Sequence, residues 1–252
     1  MVPPPPRPGK GDNGVITKLP DIPFTMEKPV PEDLDKYIKN PGLPRANLSC
    51  DKEHPEGTYS PPRNLTVMQQ HIAFWDRDHD GVIYPHDTFI GFRRLGFNLA
   101  ICLASVPIIH GTFAWWSQDN WLPNPMFPIL VKNIHRGKHG SDSEVYDTEG
   151  RFVPEKFEEI WSKYDKGNKG ALTKHEIWTM IKGQRNIMDP VGWTAAWLEW
   201  FVSYLLVARQ DKMMYKDDVR GILDGTIFYQ IAQEREGGKV KPQDQWALRK
   251  EE

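Results

Sequence analysis

The stretch HIAFWDRDHDGVIYPHD, residues 71–87, contains a twelve-residue loop rich in aspartate. Compared with the calcium-loop pattern D-x-[DN]-x-[DN]-G-x5-E, it has acidic residues at the first, third and fifth positions and a glycine at the sixth: Asp76, Asp78, Asp80 and Gly81. At the seventh position a backbone carbonyl, that of Val82, is the expected ligand. The stretch therefore predicts a helix–loop–helix calcium site of the EF-hand type.

The twelfth position of this loop departs from the pattern, because Asp87 stands where glutamate is usual. Aspartate is one methylene shorter, which makes bidentate coordination harder and predicts weaker selectivity for calcium over magnesium. His71 lies five residues before Asp76, about 7 to 8 Å along the axis if the helix is unbroken. It shares the inward face of its helix with Val67 and Phe74, so it requires a partner there, as a core histidine or as a functional one.

Two further segments resemble the loop more weakly. Residues 165–176 keep Asp165, Gly170 and Glu176, but Lys169 stands at the fifth position, where its ammonium would repel a cation. This segment predicts the shape of an EF-hand without a metal, and residues 207–218 are a still weaker match. The predicted fold is mainly α, with one intact and one or two degenerate EF-hand-type modules.

An apolar segment, residues 95–117, contains no acidic residue, lysine or arginine. As one helix it would reach ~35 Å, enough for a hydrocarbon core of ~30 Å. Three polar residues and a proline interrupt it: Asn98, Ser105, His110 and Pro107. The segment could therefore form a membrane span, a kinked re-entrant hairpin or a buried core helix. The following WLPNPMFP, residues 121–128, favours membrane association, because its prolines impose a rigid turn beside interfacial tryptophans: Pro123, Pro125 and Pro128.

The composition of the chain limits its class of partner and its compartment. Its 252 residues carry a formal charge of -2 with both signs nearly balanced, which argues against a nucleic-acid partner. Two cysteines, Cys50 and Cys102, make no disulfide framework and no cysteine zinc site, and they fit a reduced, cytosol-facing compartment. A second apolar segment, 191–208, is interrupted by Glu199 and predicts a core or interfacial helix.

The predicted boundaries are as follows: a Pro-rich, extended arm 1–63, an EF-hand module 64–94, the apolar segment with its proline turn 95–130, a C-terminal helical region 131–235 and a polar tail 236–252.

Several long motifs occur in one order: LTVMQQHIAFWDRDHDGVIYP, GFRRLGFN, the uncharged segment, WLPNPMFPI, NIHRGKHGSDSEVYDTEGRF and ILDGTIF. In this order the chain, over roughly residues 43–232, closely resembles the caleosins, the calcium-binding haem peroxygenases of lipid droplets and endoplasmic reticulum.

The resemblance implies one functional EF-hand, a proline knot and a b-type haem associated with two histidines. These histidines match His71 in QQH and His139 in KHGSD. The calcium ligands match the Asp76, Asp78, Asp80 and Asp87 positions, and the proline knot matches Pro123, Pro125 and Pro128. His135 also matches a family histidine; from its spacing, the pair His135 and His139 fits one helical face or an exposed basic loop. Plant members usually have glutamate at position 87 and often cysteine at position 222.

The activity implied by the resemblance is oxygen transfer from a fatty-acid hydroperoxide to an unsaturated acyl chain or another acceptor, by epoxidation, hydroxylation or sulfoxidation. The expected partners are those substrates and the lipids of droplet or reticulum membranes. The residues alone equally support an alternative, a calcium-responsive structural or membrane-binding protein of lipid droplets without catalysis. The oligomeric state stays open, a homo-oligomer included.

Overall fold

The computed structural model describes residues 65–237, so the predicted arm 1–63 and residues 238–252 of the predicted tail lie outside it. Within this range the helices are α1 Val67–Ala73, α2 Pro85–Arg94, α3 Leu99–Ser117, α4 Pro154–Tyr164, α5 Lys174–Gly183, α6 Pro190–Val207, α7 Lys216–Asp224 and α8 Thr226–Arg235, with a 3-10 helix at Val131–Gly137. The strands are β1 Val82–Ile83, β2 Ile129–Leu130, β3 Ala171–Thr173 and β4 Met213–Tyr215. The prediction of a mainly helical protein is confirmed.

Local sequence signals fix where several helices begin. Thr66 caps α1, because its hydroxyl accepts the amide of Gln69 while the Gln69 side chain accepts the amide of Thr66. Asn98 caps α3 by accepting the amide of Ile101 at 2.9 Å. Prolines occupy the first helical position of α2, α4 and α6, where the missing amide hydrogen costs nothing.

The loops between the helices follow one EF-hand plan. In each loop the sixth position has a positive φ: 84° at Gly81, 49° at Phe127, 68° at Gly170 and 62° at Lys212. The Phe127 loop spans residues 122–133 and contains the predicted proline knot, between α3 and the 3-10 helix. The described residues therefore form four helix–loop–helix units, one more degenerate unit than the sequence indicated.

The four units associate as two pairs, which we call the first pair (residues 65–137) and the second pair (residues 154–224). In the first pair β1 and β2 run antiparallel, with Val82 opposite Leu130. The carbonyl of Gly81 also accepts the amide of Val131 at 2.9 Å. The calcium loop is thus partnered by the segment that leaves the proline knot.

The second pair repeats this arrangement position for position. Strands β3 and β4 are antiparallel, with Ala171 opposite Tyr215, and the carbonyl of Gly170 accepts the amide of Lys216 at 2.9 Å. This shared register makes α6 the counterpart of α3, and the 207–218 loop the counterpart of the proline knot. The weak match seen at residues 207–218 therefore has a structural basis.

Helix α3 packs by one face against α2 and the 3-10 helix and leaves its other face open. Three polar residues of α3 lie on the packed face, where Ser105, His110 and Ser117 are buried. His110 joins three elements, because its ring nitrogens lie 2.7 Å from the Thr88 hydroxyl of α2 and 2.7 Å from the Phe127 carbonyl. The open face carries exposed apolar side chains: Leu99, Leu103, Ile108, Trp115 and Trp116.

Among the described helices, only α3 is long and apolar enough to cross a membrane, by length and composition. The main core lies where α1 packs against α7 and where the second pair closes, and its most deeply buried large side chains are Phe74, Phe152, Leu172, Met180 and Met214. The core thereby joins the first pair to the second through α1.

Candidate functional site

His71 lies in the last turn of α1 and is held by α7. Its Nδ1 lies 2.6 Å from the carbonyl oxygen of Ile222, so Nδ1 carries the proton and donates, and Nε2 keeps its lone pair. Burial lowers the pKa of His71, while the Ile222 carbonyl and the charge of Glu199 oppose this shift in part. A neutral imidazole whose second nitrogen donates to a backbone carbonyl is the arrangement that metal-bound histidines adopt.

The ILDGTIF motif is shaped around this histidine. Gly225 ends α7 with φ +81°, and a Cβ there would lie 2.5 Å from the Gln70 carbonyl and 3.1 Å from the His71 Cα. Phe228 of the same motif packs edge-on against the imidazole, with ring centroids 5.3 Å apart. Sequence reasoning recorded the motif without this role, because it acts through backbone atoms and a close approach that a residue pattern does not show.

His139 follows the 3-10 helix, which ends at Gly137. The interpretation of His135 and His139 as neighbours on one helical face is therefore wrong, since glycines at 137 and 140 interrupt the helix. The Nδ1 of His139 accepts the amide of Ser141 at 3.3 Å, which places the proton of the neutral ring on Nε2. This Nε2 is buried and has no hydrogen-bond partner among the described residues.

Carboxylates surround His139. The closest are Asp189, at 3.6 Å from Nδ1, and Glu199, at 3.9 Å from Nε2. Burial disfavours the charged ring, but Glu199, Asp142 and Asp189 outweigh it and raise the pKa of His139. Their charges thus stabilise a cationic ring in this position.

Glu199 interacts electrostatically with both predicted histidines: its charge offsets part of the lowering of the His71 pKa by burial, and it contributes to the raised pKa of His139. The charge of Glu199, within α6, therefore acts on both His71 and His139. Sequence reasoning did not propose Glu199 as a functional residue, although a single acid inside an apolar helix was the available signal.

Arg220 on α7 is a second residue that sequence reasoning missed. Its guanidinium lies 3.8 Å from the centroid of the Phe152 ring. Both terminal nitrogens are buried and lack a hydrogen-bond partner within residues 65–237. A cation with unused donors is suited to a carboxylate, and nothing in its sequence context distinguishes it from a surface arginine.

The intact loop gathers its predicted acidic ligands. Each of Asp76, Asp78 and Asp80 places a carboxylate oxygen within 4.8 Å of the other two. Asp76 also accepts the amide of Gly81 at 3.0 Å, which closes the loop. Burial raises the pKa of Asp76, and the neighbouring carboxylates add to this effect. Such a cluster of like charges fits a bound hard cation.

Asp87 is not a member of that cluster among the described carboxylates. Its Oδ2 accepts the amide of Tyr84 at 3.1 Å, and its Oδ1 lies 3.5 Å from the Arg77 guanidinium. The side chain therefore caps the start of α2, and the role of Asp87 as a calcium ligand stays a prediction.

In the 165–176 loop a lysine takes the position of the cation. The ammonium of Lys169 lies 2.7 Å from Asp165 Oδ1, 2.7 Å from the Lys166 carbonyl and 3.0 Å from Glu176 Oε1. Glu176, at the twelfth position, reaches the loop centre that Asp87 does not reach. The EF-hand shape predicted for this loop is present, and the positive charge at its centre is that of Lys169.

Paired EF-hand-type units, one of them with an acidic loop, and a half-exposed apolar helix define a mainly helical protein of the EF-hand type. The chain belongs to the caleosin family, since the family described as "Caleosin related protein" matches residues 63–232. This confirms the resemblance inferred from the motifs and indicates association with lipid surfaces.

Relatives of the chain are named as peroxygenases. A "Peroxygenase" of Lilium longiflorum is 40% identical over 222 residues, 88% of this chain and 93% of that protein. "Probable peroxygenase 4" of Arabidopsis thaliana is 38% identical over 69% of this chain and 89% of its own length. A "Probable inactive peroxygenase-like protein" of Arabidopsis thaliana is 38% identical over 41% of this chain and 50% of its own length. No solved structure matches the chain.

Proposed function

We propose that this protein is a calcium-binding haem peroxygenase that transfers oxygen from fatty-acid hydroperoxides to unsaturated lipids or other acceptors. The observation that carries the proposal is the hydrogen bond from His71 Nδ1 to the Ile222 carbonyl, which leaves Nε2 as a free ligand atom. The names of the relatives support the reaction class. One relative is named as inactive, so the case for activity depends on the site residues of this chain.

The two histidines fit different roles beside a b-type haem. His71 is neutral with its lone pair on Nε2, and through this nitrogen it would hold the haem iron. His139 holds its proton on Nε2, and using that nitrogen as a ligand would require loss of the hydrogen bond from the Ser141 amide. In this proposal His71 would hold the haem, and His139 would act beside it as a hydrogen-bond donor.

When bound, the haem supplies the redox chemistry of oxygen transfer. The chain supplies a hydrogen-bond donor, because the buried Nε2–H of His139 has no partner among the described groups and is available to a hydroperoxide oxygen. Glu199, 3.9 Å from that nitrogen, stabilises positive charge on the ring while it donates. Arg220 offers unused donors to a carboxylate of the haem or of an acyl substrate.

The lipid substrates are expected at the open face of α3 and the proline knot. Because the opposite face of α3 packs on α2 and the 3-10 helix, crossing a bilayer would carry those polar elements into hydrocarbon or strip them from α3. A position along the lipid surface satisfies both faces. The proposed locations are the surface of lipid droplets and the endoplasmic reticulum, with the other elements facing the cytosol.

Calcium is proposed to act through α1. The helix ends at Ala73, and Phe74 and Trp75 lead directly from it into the loop at Asp76. The Trp75 ring lies 6.1 Å from the His71 ring. Occupancy of the loop should therefore restrict the segment that presents His71, which would make activity calcium-dependent.

Haem titration of the purified full-length chain, followed by its Soret band, tests the proposal together with product analysis by mass spectrometry. We expect His71→Ala to lose most haem affinity, and His139→Ala to retain haem with a perturbed spectrum and little oxygen transfer. His175→Ala, at an exposed histidine of α5, is the matched control. A wild-type protein that neither binds haem nor oxidises an unsaturated lipid would support the non-catalytic alternative.

A further inference from the structure

The loop between α5 and α6, together with the start of α6 (residues 184–191), carries exposed apolar side chains; we call it the α5–α6 corner. Ile187, Met188 and Val191 are 83%, 85% and 72% exposed. The corner has a defined conformation: the Trp193 indole donates to the Asn186 carbonyl at 2.7 Å, and the Met188 amide donates to the Asn186 side chain at 3.2 Å. An exposed apolar loop whose conformation is fixed by its own hydrogen bonds indicates an interaction site.

Aromatic and basic groups border this corner. The guanidinium of Arg185 lies 5.8 Å from the Trp178 ring centroid and 5.3 Å from the Trp193 ring centroid. The side chain of Lys182, in the last turn of α5, is exposed nearby in the sequence. Tryptophans and cations around an apolar tip match the interfacial zone of a phospholipid layer, where phosphates lie above the acyl chains.

The exposed face of α6 continues the corner. At 100° per residue, Val191, Trp197, Phe201 and Leu205 fall within an arc of about 120°. All four side chains are exposed. Helix α6 has in the second pair the position that α3 has in the first pair. Each pair therefore contains one apolar helix with an exposed face.

The segment carrying His139 adjoins both apolar surfaces. A Cβ at Gly137 would lie 2.6 Å from the Phe113 ring of α3, and a Cβ at Gly140 would lie 3.2 Å from the Asn186 side chain. The Asn186 amide donates to the Ser141 hydroxyl at 3.1 Å. The α5–α6 corner is therefore continuous with the histidine site and, through residues 137–141, with α3.

We propose that the α5–α6 corner is a second lipid contact, in which Ile187 and Met188 insert into a phospholipid surface and Arg185 contacts its phosphates. The contact places lipid beside His139, so acyl substrates reach the site directly from the lipid phase. The lipid contact rests on the corner alone, whereas its role in substrate entry rests on the proposed function.

Insertion is tested with a nitrobenzoxadiazole fluorophore attached to a cysteine at position 188 (Met188→Cys) of the full-length chain. Cys50 is replaced by serine (Cys50→Ser), and the remaining Cys102 is buried. The same fluorophore at Glu155→Cys, an exposed position of α4, is the matched control. On phosphatidylcholine vesicles containing phosphatidylserine, we expect a blue shift at position 188 and none at 155. An absent shift at 188, equal shifts at both positions, or a shift at 188 that appears with protein concentration alone would overturn the proposal.

Vesicle sedimentation gives the magnitude. Ile187→Ser combined with Met188→Ser should weaken partitioning at least about tenfold, because two large apolar side chains no longer transfer from water. The unfolding temperature checks that the exposed corner tolerates the change. Unchanged partitioning would refute the contact. Wild-type protein that inserts at 188 yet transfers no oxygen would leave the lipid contact standing and remove the peroxygenase.

Discussion

Replacing Lys169 with methionine should destabilise the protein, because its ammonium neutralises two carboxylates in the 165–176 loop. The side chains of Asp165 and Glu176 are only 5% and 9% exposed, whereas that of Lys169 is 30% exposed. Removing one partner of a fully buried ion pair costs about 3–5 kcal/mol, and partial exposure reduces this to about 2 kcal/mol here. For a chain of this size, the expected fall in unfolding temperature is about 4–8 °C.

Circular dichroism in chelator at neutral pH measures this change. The control is Lys166→Met, an exposed lysine in the same loop whose replacement should alter stability by no more than about 0.5 kcal/mol. If Lys169→Met and Lys166→Met unfold at the same temperature, the ammonium does not replace a cation in this loop.

A reciprocal substitution sharpens the argument. Lys169→Asp places an oxygen ligand at the fifth position, so calcium should restore the stability that the substitution removes. An Asp76→Asn, Asp80→Asn background suppresses the first loop, which leaves the altered loop as the measured site. Failure of calcium to raise the unfolding temperature in that background would show that the loop centre is not a cation position.

Three further results are expected. Burial alone would raise the pKa of Glu176, but its hydrogen bonds lower it to about 2; this stabilisation is complete above about pH 5 and disappears as pH falls toward 2. This contribution to the free energy of unfolding is at most about 3 kcal/mol, and less after solvent screening. If the stability of Glu176→Gln and that of the wild-type protein fall in parallel as the pH is lowered, the contribution is contradicted. Asp87→Glu should tighten calcium binding roughly tenfold by calorimetry, and equal or weaker affinity would disprove the reach argument. Gly225→Ala should cost about 2 kcal/mol more in urea unfolding than Gly167→Ala, which has a similar φ but open surroundings, because only the former meets the Gln70 carbonyl; equal costs would exclude that contact.

The parts of this protein that are local in sequence were predictable. The calcium loop is read from twelve consecutive residues, and the helix start at α4 coincides with a proline, Pro154, a local signal of the same kind. The second apolar helix, predicted over 191–208, is observed as Pro190–Val207. Such signals can be read from the sequence because helix caps, turns and ligand spacing each depend on only a few neighbouring residues.

The rest depends on contacts distant in sequence. His71 and its partner carbonyl at Ile222 are 151 positions apart, and a carbonyl is common to every residue type. The proline knot retains no acidic ligand, so only the strand pairing and the positive φ of Phe127 reveal it as an EF-hand-type loop. The roles of Glu199 and Arg220 follow from tertiary neighbours alone.

The pairing of the calcium loop with the strand after the proline knot has a practical consequence for producing a water-soluble form of the enzyme. Deleting residues 95–130 would leave β1 with an unpaired edge and remove the buried His110, which ties α2 to α3. A soluble variant should instead keep the packed stripe of α3 and replace only the outward side chains, beginning with Leu103 and Trp116. Residues 95–130 are therefore an integral part of the paired EF-hand-type structure, and their deletion is expected to disrupt the 76–87 loop as well.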